Sequence, residues 1–541
     1  MGWGDITLGV GLAVGCALAC RSLFHVFQLE SYQFPGYFRS LKRNPKRAAL
    51  PGLCMALASV LPSGASYAVV RRAGHADWLS LPSAVCLVCG ILLALSGCLV
   101  ARLLRDPKPK KPFVVTARIK RLYGAAMLLY ALLLLAAARV LPPAGCLAVL
   151  MAFPLLLPLR AALAGLCVLP LEKLIQTLYL RDARRILAAR PDLIKIGITG
   201  SYGKTSVKFI LGTILAEKYQ TLVSPASFNT PMGLTKVIRT ELLPSHQVFV
   251  AEMGARHTRD IRDLCRLVHP RYGVLTSVGP QHLDTFHSID NIRETKYDLM
   301  RAVPEDGCCF FPDDGGICLE LYRRTGKPRM LCGMEKRGEV DVWAENVSVS
   351  SEGCRFRLCT AEGSVDCQTE LLGGHSVQNI LLASSVALRL GMSLRQIARG
   401  IARLRPVEHR MQLIRRPGGV TMIDDAFNSN PRSAEAALNI LKDFQPRRII
   451  VTPGMVELGD EEAEFNRRFG RQMAACVDLA VLVGRRRTGP IREGLREAGF
   501  PEENIHTAAS LNEATALLRT LTRAGDTVLF ENDLPDNYNE A

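Results

Sequence analysis

The sequence predicts an α-helical membrane region followed by two α/β domains. Three observations support this fold class. Nearly all long apolar runs lie before residue 173, β-type runs alternate with helical stretches from residue 194, and the alternation restarts after residue 404. We place the membrane region at 1–170, a central domain at 171–404 and a smaller Rossmann-like domain at 405–541. A chain of 541 residues is long enough for several such units.

Five apolar stretches can form the membrane region, and they span residues 6–27, 50–70, 81–104, 122–138 and 141–169. A helix needs about 20 apolar residues to cross a bilayer, and most of these stretches qualify. The first stretch lacks the cationic start and the cleavage site of a signal peptide. We therefore expect about five membrane helices.

The loops between these stretches predict the orientation of the chain. The first and third loops are rich in lysine and arginine, whereas the second carries only Arg71 and Arg72. Loops rich in positive charge stay in the cytosol. We therefore expect a multi-pass protein of the bacterial cell membrane, with its N-terminus outside and its catalytic domains in the cytosol. The basic residues of the two positive loops are Arg39, Lys42, Arg43, Lys46, Arg47, Arg105, Lys108, Lys110, Lys111, Arg118, Lys120 and Arg121.

The net charge of +17 does not indicate a nucleic-acid partner. Much of the excess lies in the membrane loops, only 6% of residues are aromatic, and no basic stretch is interleaved with stacking residues. Several of the 17 cysteines lie inside the apolar runs, and the remaining ones do not form paired CxxC ligand spacing, which favours reduced cytosolic domains without structural zinc.

The central domain begins after a charged amphipathic helix, which we predict over 171–190. The β-type run "IKIGIT" is followed by a glycine-rich turn and by a helix from about Lys204. Further strand-like runs are "QTLVS", "QVFVAEM" and "GVLTSV", separated by helical stretches. This alternation predicts a parallel, doubly wound sheet with ligand loops at the carboxyl ends of its strands. Residues 308–370 change to short alternating strands with glycine turns, for which we expect an antiparallel arrangement.

The C-terminal domain repeats the α/β pattern. A helical stretch, "SVQNILLASSVALRLG", closes the central domain, and "VTMIDD", "RRIIVT", "DLAVLVG" and "DTVLFE" are then predicted as strands. The chain ends with acidic residues, Glu531, Asp533 and Asp536. These residues could meet an amine substrate, although the pattern favours a solvated tail.

The first chemical motif is the turn after the first strand of the central domain. Gly200, Gly203, Lys204 and Thr205 form a GxxGKT sequence, although the strict P-loop pattern has glycine where this chain has Ile198. Backbone N–H groups of such a turn face phosphates, the lysine reaches the outer phosphates, and the threonine hydroxyl can ligate Mg²⁺. We assign to this ATP-binding turn Gly200, Ser201, Gly203, Lys204, Thr205 and Ser206.

Three more residues stand where a parallel sheet would bring them near this turn. Glu252 ends a predicted strand, His282 lies in the loop after the next strand, and Lys296 lies in a helix that starts near Ser288. Each of them alone would be an ordinary edge, surface or helix residue. Their order and spacing make the set informative.

The motifs GxxGKTS, AEMGA and HLD, with Lys296 following, together resemble the Mur ligase family. Members of this family are ATP-dependent amino-acid ligases of peptidoglycan precursor synthesis. Further matches are "GGHSVQN", "DDAFNSNPRS" and "PGMVELG", and the last two are most similar to the branch that adds D-alanyl-D-alanine. The resemblance covers roughly residues 190–485.

The resemblance implies a role for each matched residue. Lys204, Glu252, His282 and Lys296 would be catalytic, with Thr205 and Glu252 holding the Mg²⁺ that bridges the outer ATP phosphates. His282 and Lys296 would help to hold a second Mg²⁺, with Lys296 as its carbamate, an oxygen ligand that suits this ion. The implied nucleotide contacts are Asn379 at the adenine together with Arg410 and Asp425. The implied substrate-binding residues are Asn229, Thr230, Asn428 and Asn430.

The implied reaction is the joining of an amino acid or dipeptide to a carboxylate through an acyl phosphate, with ATP and Mg²⁺ as cofactors. Two departures from the family pattern bear on the substrate. Membrane helices stand in place of the usual UDP-binding N-terminal domain, and the chain ends in "VLFENDLPDNYNEA" where the family has a Lys-Gly-Ser-type run. The carboxylate acceptor is thus UDP-linked or lipid-linked, and we favour a lipid-linked one presented at the membrane. The alternatives are a γ-polyglutamate-type synthase, and an ATP-binding transport or scaffold protein.

Overall fold

The computed structural model describes most of the chain. The described ranges are 3–73, 81–105, 112–141, 152–225, 228–336, 338–416, 418–426, 429–444, 446–456, 458–485 and 487–534. Two compact units divide near Thr177, one helical and one α/β. The domain boundaries expected at residues 170 and 404 stay predictions.

The first unit is built from helices. They are α1 (Trp3–Ala19), α2 (Arg21–Leu29), α3 (Phe34–Arg43), α4 (Pro45–Ala73), α5 (Leu81–Leu103), α6 (Ala117–Val140) and α7 (Leu157–Ala188). Four segments of the described chain are long and apolar enough to cross a membrane, namely Leu8–Leu29, Pro45–Ala65, Ala84–Leu103 and Phe153–Ala188.

The count of membrane segments therefore differs from the five that we expected. The stretch 122–138 does form a helix, α6, but α6 is not among the four candidate segments of the described residues. Part of the stretch 141–169 lies outside the described residues. The charged helix expected over 171–190 is not a separate element, because α7 continues through Pro170 without a break.

The central sheet has nine strands in the order β2-β3-β1-β4-β5-β6-β7-β8-β9. All neighbours from β2 to β7 pair in parallel, and β8 and β9 add antiparallel hairpins. The strands are β1 (Ile194–Thr199), β2 (Thr221–Val223), β3 (Val248–Glu252), β4 (Tyr272–Leu275), β5 (Cys308–Pro312), β6 (Arg329–Gly333), β7 (Val342–Ser350), β8 (Gly353–Thr360) and β9 (Gly363–Thr369).

The sheet is thus mixed rather than wholly parallel, and the antiparallel arrangement expected for 308–370 is wrong for its first part. Residues 308–333 continue the parallel sheet, because a helix (Ile317–Arg324) connects β5 and β6 as a parallel crossover requires. The glycines at 315 and 316 precede this helix instead of making a hairpin turn. The antiparallel hairpins are confined to β7–β9.

Helices cover both faces of this sheet, and fully buried strand residues such as Ile196, Phe249 and Phe310 form its core. The helices are α8 (Lys204–Leu215), α9 (Pro231–Thr240), α10 (Asp260–Val268), α11 (Leu283–Phe286), α12 (Ile289–Ala302), α13 (Ile317–Arg324), α14 (Gly374–Arg389) and α15 (Leu394–Ala402). The expected helices after Lys204, near Ser288 and over "SVQNILLASSVALRLG" are confirmed.

The second sheet has six strands in the order β10-β11-β15-β12-β13-β14, with only β10 antiparallel to its neighbour. The strands are β10 (Gln412–Arg415), β11 (Thr421–Asp425), β12 (Arg448–Thr452), β13 (Leu479–Val483), β14 (Ile505–Ala508) and β15 (Thr527–Glu531), and the helices are α16 (Pro431–Leu441), α17 (Glu462–Ala474), α18 (Gly489–Glu497) and α19 (Leu511–Leu521). Its central strands are parallel and flanked by helices, as predicted for a Rossmann-like unit.

The acidic end of the chain is not simply a solvated tail. Glu531 is the last residue of β15, and only 1% of it is exposed, because β15 runs between β11 and β12 in the middle of the sheet. Asp536 lies outside the described residues.

Candidate active site

The glycine-rich turn joins β1 to α8 and has the backbone geometry of a loop that closely approaches its neighbours. Gly203 is the N-cap of α8, with φ at 78°, a conformation that favours glycine. Gly200 leaves no room for a side chain, since a Cβ there would lie 2.0 Å from the Thr276 hydroxyl. Ser206 follows in the first turn of α8. The turn thus directs the start of a helix, with its unpaired N–H groups, towards the carboxyl edge of the sheet.

A second loop, residues 276–280 after β4, holds this turn in place. Ser201 N–H donates to the Ser277 carbonyl at 2.9 Å, and the Ser201 hydroxyl donates to the Gly279 carbonyl, also at 2.9 Å. Tyr202 N–H donates to the Ser277 hydroxyl at 2.8 Å, and the Tyr202 hydroxyl donates to the Pro280 carbonyl at 2.7 Å. The two loops therefore form one hydrogen-bonded layer.

Lys204 extends back across the turn. Its Nζ donates to the Gly200 carbonyl at 2.6 Å and to the Ser201 carbonyl at 3.1 Å. Burial lowers the pKa of Lys204 to about 8, Glu252 opposes that shift, and Arg410 adds to it. The amine is thus held over the loop in an environment that disfavours its positive charge, and an anionic ligand would reverse this effect.

Glu252, at the end of β3, is brought to the start of α8 by the parallel pairing of β3 with β1. The Thr205 hydroxyl donates to Glu252 Oε2 at 3.0 Å, and Asn229 Nδ2 donates to Oε1 at 3.1 Å. Glu252 is 1% exposed, and Lys208 and Lys204 lower its pKa against the opposing effect of burial. A buried, ionised carboxylate thus stands beside the glycine-rich turn of residues 200–206, which we call the phosphate-type turn.

Lys208 is the residue of this cluster that the sequence analysis missed. Its Nζ lies 3.0 Å from Glu252 Oε2, and its side chain is fully buried. A signal was present in the sequence, because Lys208 follows Lys204 by four residues and so lies on the same face of α8. Burial lowers the pKa of Lys208, and the neighbouring Glu252 opposes this shift.

His282 and Lys296 flank the same edge. His282 is the N-cap of the short helix α11, with φ at 55°, and directly follows the loop that holds the phosphate-type turn. Lys296 lies on α12 and is 2% exposed. Burial and the nearby Lys204 lower the pKa of Lys296 well below its usual range, which favours the neutral amine. A neutral amine is the form that reacts with CO₂ to give a carbamate.

The candidates for nucleotide contact converge on the turn from two sides. Asn379, on α14, lies beside the turn, because a Cβ on Gly203 would be 3.1 Å from Asn379 Oδ1. Arg410 interacts electrostatically with Asp425 and with Glu252. Burial raises the pKa of Asp425 to about 6 against the opposing effect of Arg410, and Asp425 Oδ1 accepts the Met411 N–H at 3.2 Å.

The four substrate candidates have different surroundings. Asn229 contacts Glu252, as described. Thr230 and Asn430 are N-caps whose side chains accept N–H groups of α9 and α16, at 3.2 Å and 3.0 Å, so capping accounts for both. Asn428 lies outside the described residues.

Glu531 is a second residue with an unexpected position. It receives hydrogen bonds from the Ser429 hydroxyl and, at 2.6 Å, from the Thr452 hydroxyl. Burial raises its pKa to about 7, and its strand neighbour Asp425 contributes to this rise. Two partly or fully buried carboxyl groups therefore lie side by side at the carboxyl edge of the second sheet.

The oxygen groups of Thr205 and Glu252 fit a magnesium ion. Among the described residues no three His, Cys, Asp or Glu side chains converge. Mg²⁺ commonly uses one or two carboxylates and completes its shell with water and substrate phosphates, so a single buried carboxylate beside a hydroxyl is a suitable donor set.

The chain matches two protein-family models. The model described as the Mur ligase middle domain matches residues 198–387, and the model described as the Mur ligase, glutamate ligase domain, matches residues 409–531. The first range contains the end of β1 and all of β2–β9, and the second range contains the second sheet.

Curated relatives share the name UDP-N-acetylmuramoyl-tripeptide–D-alanyl-D-alanine ligase. The one from Mycobacterium bovis is 34% identical over 363 residues, which are 62% of this chain and 69% of the relative. The one from Escherichia coli is 29% identical over 291 residues, or 54% of this chain and 64% of the relative.

Solved structures share the fold. MurF from Acinetobacter baumannii is 26% identical, with a TM-score of 0.60 over 66% of this chain and 77% of that chain. MurF ligase from Thermotoga maritima, in complex with ADP, is 24% identical, with a TM-score of 0.59 over 66% of this chain and 80% of that chain, and is a likeness of fold.

Proposed function

Because this chain belongs to the Mur ligase family of ATP-dependent, amide-forming ligases, we propose that it joins an amino acid or dipeptide to a carboxylate through an acyl phosphate. The product would be a peptidoglycan precursor. The curated relatives are named for D-alanyl-D-alanine, which makes that dipeptide the first amine to test. The observation that carries the proposal is the buried Glu252 carboxylate, 3.0 Å from the Thr205 hydroxyl beside the phosphate-type turn.

In the first step, an oxygen of the acceptor carboxylate attacks the γ-phosphorus of ATP. The bond to the bridging oxygen breaks, and ADP leaves. Lys204 and the N–H groups at the start of α8 bind the phosphates and stabilise the negative charge that develops on the transferred group. A bound Mg²⁺ would be held by Thr205 and Glu252, and would supply further neutralisation of phosphate charge.

In the second step, the amine nitrogen attacks the carbonyl carbon of the acyl phosphate. A tetrahedral intermediate forms, the carbon–oxygen bond to phosphate breaks, and the nitrogen loses a proton as the amide forms. His282 and carbamylated Lys296 are the proposed ligands of a second Mg²⁺. Asn379, Arg410 and Asp425 are proposed to bind the nucleotide, while Asn229, Thr230, Asn428 and Asn430 remain the candidates for substrate binding.

We propose further that the protein works at a membrane, with a lipid-linked rather than a UDP-linked acceptor. Four candidate spans precede the part that matches the family, and the loops that flank them carry the basic residues typical of a cytosolic side. This orientation places ATP and the catalytic residues in one compartment. We take α6 as a fifth crossing, because an odd number of crossings puts the N-terminus outside the cell and the catalytic residues inside.

The test is an assay of the full-length protein in detergent micelles with ATP and Mg²⁺. A panel of amino acids and D-alanyl-D-alanine is combined with UDP-linked and lipid-linked muramyl peptides. The products are identified by mass spectrometry. Phosphate release that requires both an amine and a carboxylate supports ligation. Release without either would overturn it in favour of a transport or scaffold role, and products with repeated additions would indicate a polymer synthase.

A further inference from the structure

The helical unit contains a concave site with an unusual combination of side chains. Its walls are apolar and aromatic, with Phe27 from α2, Phe34 at the start of α3, Leu122 from α6 and Val168 from α7. Three polar residues, Tyr32, Arg118 and Glu172, also line it. We call this site the Arg118 pocket.

The Arg118 pocket carries a net positive charge only together with the neighbouring Arg121, which does not line it. Glu172 is its only acidic lining residue, and 6% of the Glu172 side chain is exposed. Arg121 Nη2 lies 2.5 Å from Glu172 Oε1. Arg118 Nε lies 3.7 Å from Glu172 Oε2, which is beyond hydrogen-bond distance. Two guanidinium groups thus face a single carboxylate, and Arg118 makes the longer of the two contacts with it.

The Arg118 guanidinium is held in position without using its N–H groups. It lies 3.8 Å from the centre of the Tyr32 ring, in a cation–π contact. Tyr32 itself is fixed by a tight turn in which Ser31 and Tyr32 both have positive φ angles, of 51° and 62°. Within the described residues, no hydrogen bond engages the Arg118 side chain. The N–H donors of its planar guanidinium are therefore available, and a guanidinium can bind phosphate through two parallel hydrogen bonds.

The apolar surroundings indicate what carries the phosphate. On α7, residues close to Val168 and Glu172 are large, apolar and exposed, including Leu166 at 55%, Leu171 at 47% and Leu174 at 56%. This helix belongs to a candidate membrane span. A ligand in the pocket can thus keep its polar end on Arg118 while its hydrocarbon chain lies against the aromatic wall and the leucines.

We propose that the Arg118 pocket binds the phosphate group of an amphiphilic lipid. The proposal rests on the proposed function only in taking these helices to lie in a membrane, and it involves none of the residues of the ATP site. The same charge could in principle bind inorganic phosphate, so the experiment has to separate the two sources.

The test is isothermal titration calorimetry on the full-length protein in dodecyl maltoside micelles, with dodecyl phosphate as the probe. Inorganic phosphate and dodecanol are titrated in parallel. We expect dodecyl phosphate to bind, and the Arg118→Gln variant to bind it at least about tenfold more weakly, through loss of the charge-assisted pair. Lys120→Gln removes one positive charge from the same turn of α6, where the side chain is exposed, and should leave the affinity unchanged.

A steric variant keeps the test independent of charge. A Cβ on Gly165 would lie 3.3 Å from the Phe34 ring, so Gly165→Leu should fill the pocket while both arginines remain. Binding of dodecyl phosphate should then be lost, with the melting temperature of each variant measured to exclude unfolding. Equal binding of inorganic phosphate or dodecanol, equal losses in Arg118→Gln and Lys120→Gln, or unchanged binding in Gly165→Leu would each overturn the proposal.

Ligase turnover with a water-soluble acceptor separates this proposal from the proposed function. The Arg118→Gln variant should retain that turnover. Absent turnover with both water-soluble and lipid-linked acceptors, in a protein that still binds dodecyl phosphate, would refute the ligase function alone. Intact turnover without lipid binding would refute the pocket alone.

Discussion

Lys208 Nζ lies 3.0 Å from Glu252 Oε2, and the two side chains are 0% and 1% exposed. This ion pair joins the first helix of the central domain to the end of β3, directly beneath the phosphate-type turn. The carboxylate thereby has a permanent cationic partner as well as the hydroxyl of Thr205. The pair therefore belongs both to the core and to the catalytic edge.

Removing the cation of this pair should be costly. Lys208→Met leaves the buried Glu252 carboxylate without its partner, and breaking a buried ion pair in this way destabilises by about 3–5 kcal/mol. Thermal and denaturant unfolding of the full-length protein in micelles measures the loss. Lys236→Met, at an exposed position of α9, is the control, and the double variant Lys208→Met/Glu252→Gln should recover part of the stability. A single variant as stable as the control would contradict a role for the pair in stability.

Nucleotide binding should depend on the charge of Lys204. The pKa of this amine is lowered to about 8, so it loses its positive charge as the pH rises through 8. The affinity for ATP should fall as the pH rises from 7 to 9. At the upper end of this range, ATP binding should be accompanied by uptake of a proton by Lys204, because the phosphates favour the charged amine. Titration calorimetry in buffers of different ionisation enthalpy measures the number of protons taken up when ATP binds. Lys204→Met should bind weakly at every pH, and the same proton uptake in this variant would rule out Lys204 as its source.

Lys296 should be essential through its carbamate. Lys296→Ala should lower the rate of ligation by about two to three orders of magnitude, since it removes a group that holds charge-stabilising metal. Acetate or formate should restore part of the rate by supplying a carboxylate in the vacated space. Sodium chloride at equal ionic strength is the control. Unchanged activity in the variant, or equal effects of chloride and acetate, would count against the carbamate.

Glu531 should make the stability of the protein fall with rising pH. Its pKa rises from 4.5 to about 7 on folding, so between these values the folded state keeps a proton that the unfolded state has released. Stability is therefore lost as the pH rises from about 4.5 to 7 and stays lower above that. Glu531→Gln cannot ionise and should be more stable than the wild type at pH 8, by up to roughly 3 kcal/mol at about 1.4 kcal/mol per pKa unit. Glu503→Gln, on the exposed surface, is the control, and a variant that follows the wild type at all pH values would contradict the assignment.

The parts of the site that lie within one strand, turn or helix were predictable from the sequence. Gly203 and Lys204 follow a β-type run directly, and the end of β3 at Glu252 follows from its apolar pattern. Such features depend on neighbours along the chain. The place of Lys296 near Lys204 was inferred from the family resemblance, and in the structure Lys204 lies close enough to lower the pKa of Lys296.

The features that sequence reasoning missed depend on contacts between distant segments. The pair of Lys208 and Glu252 requires β3 to lie beside β1, and 44 residues separate the two side chains along the chain. Glu531 is buried because β15 enters the middle of the second sheet, which its polar neighbours in the sequence do not indicate. Glycine turns near residue 315 have the same local composition whether a hairpin or a crossover helix follows. In each case the burial of the residue or the type of strand connection depends on the segment that packs against it, and not on the local sequence pattern.

The hydrogen-bonded layer formed by Ser201 and Tyr202 with residues 277–280 has a consequence for inhibition. Because His282 lies only two residues beyond this layer, we expect a displacement of the phosphate-type turn to move the segment that carries His282. A small molecule bound between the two loops would therefore disturb both the nucleotide end and the proposed second metal site, without competing with ATP for its own contacts. Resistance would then require compensating changes in two loops that are more than 70 residues apart in the chain.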